Sequence, residues 1–232
     1  MTFALAGLQG AEDPLDPALL PYLQQDRVSG HLLRHPLVFM PLPGKSLNHL
    51  ANRMYHDKLA RLEAAERSGK WHEVVFLHER PYRLHAILQY RDEIPSAMFW
   101  ELAASVYRDS ENIHECRYEW LDLLGSAIPQ REHMMSQEER QMLAALPDSI
   151  SVYRGSRQRE DEDDLGFSWT TAPDKARWYA TRFLSAGTGY VFHGEIARTD
   201  VIAIFKGGDD EIIALPHSIR VIHVRPVAAK KR

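Results

Sequence analysis

Three side chains late in the chain carry a chemistry that their separate neighbourhoods do not explain. Arg154 ends the apolar run Val152-Tyr153 and precedes Gly155, Ser168 stands in Gly166-Phe167-Ser168-Trp169-Thr170-Thr171, and Glu211 closes the turn Gly207-Gly208-Asp209-Asp210 and opens Ile212-Ile213. A guanidinium grips a phosphate with two parallel donors. A serine hydroxyl donates and accepts, so it can fix a neighbouring strand or a substrate hydroxyl, and a carboxylate stabilises developing positive charge. Together they suit a phosphate-bearing substrate. Taken one at a time they have ordinary readings: a strand-end arginine in solvent, strand hydroxyls facing water, a solvated turn carboxylate.

Around them the chain divides by pattern. Residues 1–44 hold Pro14, Pro17, Pro21, Pro36, Pro41 and Pro43 with Gly7, Gly10, Gly30 and Gly44, a density of breakers that leaves room only for short helices such as 17–25 and reads as an irregular arm laid across the fold. Leu47, Leu50, Met54, Leu59 and Leu62 then recur at helical spacing, with Ser46 as N-cap and Gly69 as stop. Residues 71–79 fit helix or strand. Further helices are expected over 81–91, over 95–108 with Met98, Phe99, Leu102, Ala103 and Val106 inward, and over 112–124; Ser136-Gln137-Glu138-Glu139 is a capping box that opens a last short one. From 150 onward the chain reads as short strands rich in β-branched and aromatic residues, at 150–153, 167–171, 189–197, 201–205, 211–215 and 220–224, with one helix over 172–183. Helices followed by strands make the chain α+β, with 1–44 as the arm, 45–147 as a helical subdomain and 148–232 as the β-rich part.

The 232 residues are 44% hydrophobic, enough for a packed core. The net charge of -4 supplies no global positive field, so nucleic-acid binding is not expected. Cys116 is the single cysteine, which leaves no intrachain disulfide or Cys-x-x-Cys metal site and fits a reducing compartment. His31 and His35 have helical i, i+4 spacing but lack a nearby Glu or Cys and read as surface or packing histidines, so no metal is expected. The opening residues 1–8 lack the basic lead and longer apolar run of a secretory leader and no apolar run reaches membrane-spanning length, so the expected location is cytoplasmic, with no membrane partner; injection into another cell is compatible with that. The run from Glu160 to Asp164 is expected to be a solvated loop, with contact to a basic partner face as the alternative, and the Lys230-Lys231-Arg232 tail to be disordered.

On an aromatic-Arg-Gly strand, a Ser-x-Thr strand followed by an aromatic-rich helix, and a late Glu opening a strand, the last third of the chain resembles the ADP-ribosyltransferase superfamily, in its cholera-toxin-like branch with Arg, Ser-Thr-Ser and Glu motifs. The resemblance implies a split two-sheet β core beside a helical N-terminal layer, and a bacterial or phage enzyme of toxin or effector type. It would transfer ADP-ribose from NAD, used as substrate, to a side chain of a macromolecule, most simply a protein, with release of nicotinamide. Arg154 and Gly155 then fall on the NAD diphosphate and nicotinamide side, Ser168 on the residue that holds the catalytic Glu, and Glu211 on that Glu. The pattern departs at Trp169 and at Thr170, which stands for the last serine. Asp209 falls on the acceptor-selecting position, where its short side chain points away from an arginine acceptor. Tyr179 is the candidate for stacking on a planar ring, whereas Trp178 and Phe183 read as core. Two other readings remain open: an NAD-consuming relative, either a glycohydrolase with water as acceptor or an RNA 2′-phosphotransferase type, and a catalytically silent module of the same fold that binds a protein partner.

Overall fold

In the computed structural model the described residues are 13–111, 113–161, 164–207 and 210–228. They form a mixed α+β protein with seven α-helices and two antiparallel sheets. Contacts divide the chain into two compact units, one running to Ile94 together with Arg108–Ser110, the other made of Pro95–Tyr107 and Glu111–Arg232. The expected boundaries after 44 and after 147 therefore fall inside these units. Among the described residues no helix is long and apolar enough to cross a membrane.

The first unit corrects the expectation of an irregular arm. Strands β1 (Leu23–Asp26), β2 (Gly30–His35) and β3 (Val38–Pro41) form a three-stranded antiparallel meander. Two of the breakers, Gly30 and Pro36, sit at its turns, while residues 1–12, with Gly7 and Gly10, lie outside the described residues. The Asp26 carboxylate accepts the N–H groups of Val28 (3.0 Å) and Ser29 (2.7 Å), and Gly30 takes φ +78°, a left-handed value that costs glycine little. At the second turn His35 Nδ1 accepts the Leu37 N–H at 3.0 Å beside Pro36. His31 and His35 thus lie on a strand. The His35 ring packs edge-on between Tyr22 (4.6 Å) and Tyr55 (5.0 Å), as a packing histidine would.

Helices α1 (Asn48–Arg67), α2 (Trp71–Leu77) and α3 (Arg83–Gln89) complete this unit. Leu19, Leu33, Val38, Ala51, Leu62 and Val74 meet in its core. Gly69 stops α1 at φ +62°. Ser46 is not its cap: it lies in a 3-10 turn, Lys45–Leu47, and Leu47 takes the cap position with no side-chain bond. The ambiguity over 71–79 resolves as helix, and Pro81 falls in the 3-10 turn before α3.

Helix α4 (Ser96–Asp109), in the second unit through Tyr107, buries Phe99, Trp100, Leu102, Ala103, Val106 and Tyr107, while Met98, expected inward, is exposed. The next helix is shorter than expected, a 3-10 turn Ile113–Cys116 leading into α5 (Arg117–Leu124). Helix α6 (Gln137–Ala145) opens with both bonds of the capping box, Glu139 N–H to Ser136 Oγ (3.2 Å) and Ser136 N–H to Glu139 Oε2 (2.8 Å). The other oxygen of that buried carboxylate accepts the Lys206 N–H at 2.8 Å, which ties the helix to the end of a strand.

The strands are β4 (Ser149–Ser156), β5 (Ser168–Thr170), β6 (Thr188–Ala197), β7 (Ala203–Phe205), β8 (Glu211–Ile213) and β9 (Arg220–Ala228). Their order is β7-β8-β5-β4-β6-β9, antiparallel throughout. The sheet is nearly cut in two: β4 meets β6 through every residue from Ser149 to Ser156 but meets β5 only at Tyr153 opposite Thr170.

Helix α7 (Pro173–Thr181) crosses β4 and β6 at very short range. Its inner residues Ala176 and Ala180 are fully buried, one turn apart, and lie directly on Gly155 and Gly189. Small residues on both surfaces let helix backbone touch strand backbone.

Candidate active site

The cleft beside the β4–β5 junction has a volume of about 1130 Å³ and lies within the second unit. It is lined by the three motif side chains Arg154, Ser168 and Glu211, and by Gly155, Thr170 and Tyr179 as well. The sequence therefore singled out residues that the fold does bring together. Asp209 lies outside the described residues.

Strand alternation along β4 puts Arg154 on the face opposite the one that Gly155 turns to α7. The guanidinium lies flat against Gly166, where a β-carbon would stand 2.5 Å from Nη2, so a larger residue there would push the guanidinium aside. Each of its three nitrogens donates one hydrogen bond. Nη1 donates to the Ser168 carbonyl oxygen at 3.1 Å, and Nε and Nη2 donate to the two oxygens of Glu160 at 3.0 and 3.3 Å. The pair is mostly buried, with the side chains of Arg154 and Glu160 exposed to 22% and 17%. Glu160 is thus no part of a solvated loop. At the other end of the acidic run Leu165 is fully buried, and its carbonyl oxygen accepts from Arg117 Nη1 at 2.9 Å.

Ser168 does two jobs on β5. Its carbonyl holds Arg154, and its Oγ lies 2.7 Å from the hydroxyl of Tyr107, which reaches the cleft floor from α4. Burial, and then the charge of Glu211, push the Tyr107 phenol well above its ordinary ionisation range, so it stays protonated. Thr170 is buried, and its Oγ1 accepts the Ala172 N–H at 3.1 Å, turning the chain into α7. Glu211 begins β8 directly opposite Thr170 and, on the other side, opposite Phe205. The preceding Asp210 has φ +42°, so the turn delivers Glu211 to the strand through a left-handed residue.

Gly155 also serves the packing of α7. It lines the cleft, but the lack of a side chain serves α7: a β-carbon would sit 1.9 Å from the Ala176 carbonyl oxygen. The aromatic residues on α7 and just after it are redistributed as well. Trp178 and Phe183, expected in the core, are 53% and 67% exposed. Arg182 lies over the rings of Trp178, Tyr179 and Phe183 at 5.0, 4.6 and 4.6 Å, and such contacts favour a fixed rim beside the cleft.

Two cleft residues that bond the motif side chains, Tyr107 and Glu160, lie outside the set expected from sequence. Tyr107 continues the buried stripe of α4, four residues after Ala103, so its burial is legible while its hydroxyl partner is not. Glu160 reads as one acid among five, and nothing in the local pattern separates it from Asp161 or Asp164. Comparison of the chain with models of known protein families, with characterised proteins and with solved structures gives no match.

Proposed function

We propose that the chain is a mono-ADP-ribosyltransferase that splits NAD at the nicotinamide–ribose bond and passes ADP-ribose to a side chain of a protein. The observation that carries this reading is the meeting of Arg154, Ser168 and Glu211 in one cleft, with Arg154 bonded to the Ser168 backbone. The narrow β4–β5 junction is in keeping with the split two-sheet core of that superfamily. In the reaction the C–N bond to ribose breaks with its electron pair leaving on nicotinamide. Positive charge passes to the sugar ring as an oxocarbenium-like centre, and an acceptor lone pair forms the new bond as the acceptor sheds its proton. The Glu211 carboxylate favours the charged sugar over the ground state, as the carboxylates of glycosidases do. In this reading the Arg154 guanidinium takes the diphosphate, and Tyr179, which lines the cleft, is the candidate to stack on a planar ring.

Glu160 holds the Nε/Nη2 fork of Arg154, so a diphosphate that takes this fork has to displace it. Glu160→Gln keeps the shape and removes the competing charge. It is expected to tighten binding of inorganic pyrophosphate about tenfold by calorimetry, the ~1.4 kcal/mol of one nearby like charge at a partly solvated site. Weaker binding in the variant would make Glu160 a support for Arg154 instead.

The function itself is tested by following nicotinamide release from NAD with and without cell lysate, alongside labelled NAD. Release that depends on lysate and labels a protein band is the expected result and would deliver the acceptor. Release without lysate would assign water as acceptor. A protein that releases no nicotinamide under either condition overturns the reading.

A further inference from the structure

Tyr107 is not needed as a phenol for packing. Its ring stands edge-on to Trp120 at 5.0 Å and 5.8 Å from Phe205, and a phenylalanine would make both contacts. A hydroxyl buried at 2% residue exposure costs stability unless it is bonded, and this one is spent on Ser168 Oγ at 2.7 Å. Ser168 and Thr170 alternate to one face of β5, and Thr170 lies opposite Glu211. Ser168 is therefore the diagonal neighbour of Glu211, about 7–8 Å away at the backbone and within reach of a long side chain.

We propose that Tyr107 is a positioning residue for the reaction: it donates its proton to Ser168 Oγ, which leaves the Ser168 proton to be donated to the Glu211 carboxylate. The direction follows from the groups. A carboxylate only accepts, a phenol is a better donor than an aliphatic alcohol, and Ser168 can do both at once. Glu211 thereby draws the serine proton toward itself, and the buried phenol completes the chain from behind. The serine is held in one rotamer and the carboxylate in one position against the sugar. A Glu left to rotate would lose part of its hold on the developing charge, because preorganised groups stabilise a transition state without having to move.

This role rests on the transferase reading, and the test separates the two. Nicotinamide release is measured at steady state for the wild-type protein, Tyr107→Phe, Ser168→Ala and the double variant. Tyr107→Phe keeps the ring contacts and the fold, so its melting temperature serves as the check on structure. The expected result is a fall of about tenfold in kcat with KM for NAD within about twofold, the pattern of a lost transition-state contact. If Tyr107 acts through Ser168, the double variant is no slower than Ser168→Ala alone. Losses that multiply in the double variant, or a Tyr107→Phe protein with unchanged kcat, overturn the positioning role while wild-type turnover leaves the transferase reading in place. A wild-type protein without turnover overturns the transferase reading and this role with it.

Discussion

Glu211→Gln is expected to lower kcat for nicotinamide release on the order of 10³-fold, about 4 kcal/mol of transition-state stabilisation, with little change in KM for NAD. The split has its origin in the group that is lost. Gln keeps the length and shape of the side chain, and the backbone of residue 211 stays paired on both sides, to Thr170 of β5 and to Phe205 of β7. Fold and ground-state binding are therefore preserved, and the loss falls on the step in which charge passes from nicotinamide to ribose. Glu211→Asp is a sharper probe. It keeps the charge but withdraws it by one methylene from a site fixed by two flanking strands, so its loss is expected to lie between those of wild type and Gln. A Gln variant that keeps more than about a tenth of the wild-type rate would remove Glu211 from the chemistry, whatever its place in the cleft.

The sequence carried the site further than it carried the fold around it. Arg154, Ser168 and Glu211 were legible because each couples a reactive group to a short strand, and strand alternation then fixes which face the group takes. Their convergence depends on strand order, with β5 between β4 and β8, and no local pattern encodes that. Residues 13–44 misled for a physical reason. Proline and glycine mark turns as readily as they mark disorder, and here Gly30 and Pro36 sit at the two turns of a three-stranded meander. Trp178 and Phe183 misled in the opposite sense. Aromatic residues at helical spacing suit a core, but α7 gives its inner face to Ala176 and Ala180, which leaves the large rings outside. The division near residue 94 was hidden because helices on either side of it look alike in periodicity, and only contacts assign α4 through Tyr107 to the unit that holds the sheet.

The alanine face of α7 makes Gly155 the second position where one atom has a large effect. A β-carbon added there would stand 1.9 Å from the Ala176 carbonyl oxygen and 2.7 Å from the Ala180 nitrogen. Both are helix backbone, so no rotamer change relieves the overlap, and α7 has to lift from β4 by more than an ångström. Gly155→Ala is expected to cost roughly 3 kcal/mol or more, at the upper end of overpacking effects, and to lower the melting temperature by about 6–12 °C for a chain of this size. Gly44→Ala is the matching control, because a β-carbon there meets nothing within 4 Å; its melting temperature should stay near wild type. Gly189 presses on the same helix, its added β-carbon falling 2.1 Å from the Ala180 carbonyl oxygen. Once α7 has lifted for one substitution, the other meets less resistance. The double variant Gly155→Ala, Gly189→Ala should therefore lose less stability than the two single losses added together. Because α7 brings Tyr179 and Arg182 to the cleft rim, the folded fraction of Gly155→Ala should also bind NAD more weakly, which Gly44→Ala should not. A Gly155→Ala protein that melts with wild type would mean that α7 is not seated on β4, and the rim of the cleft would have to be redrawn.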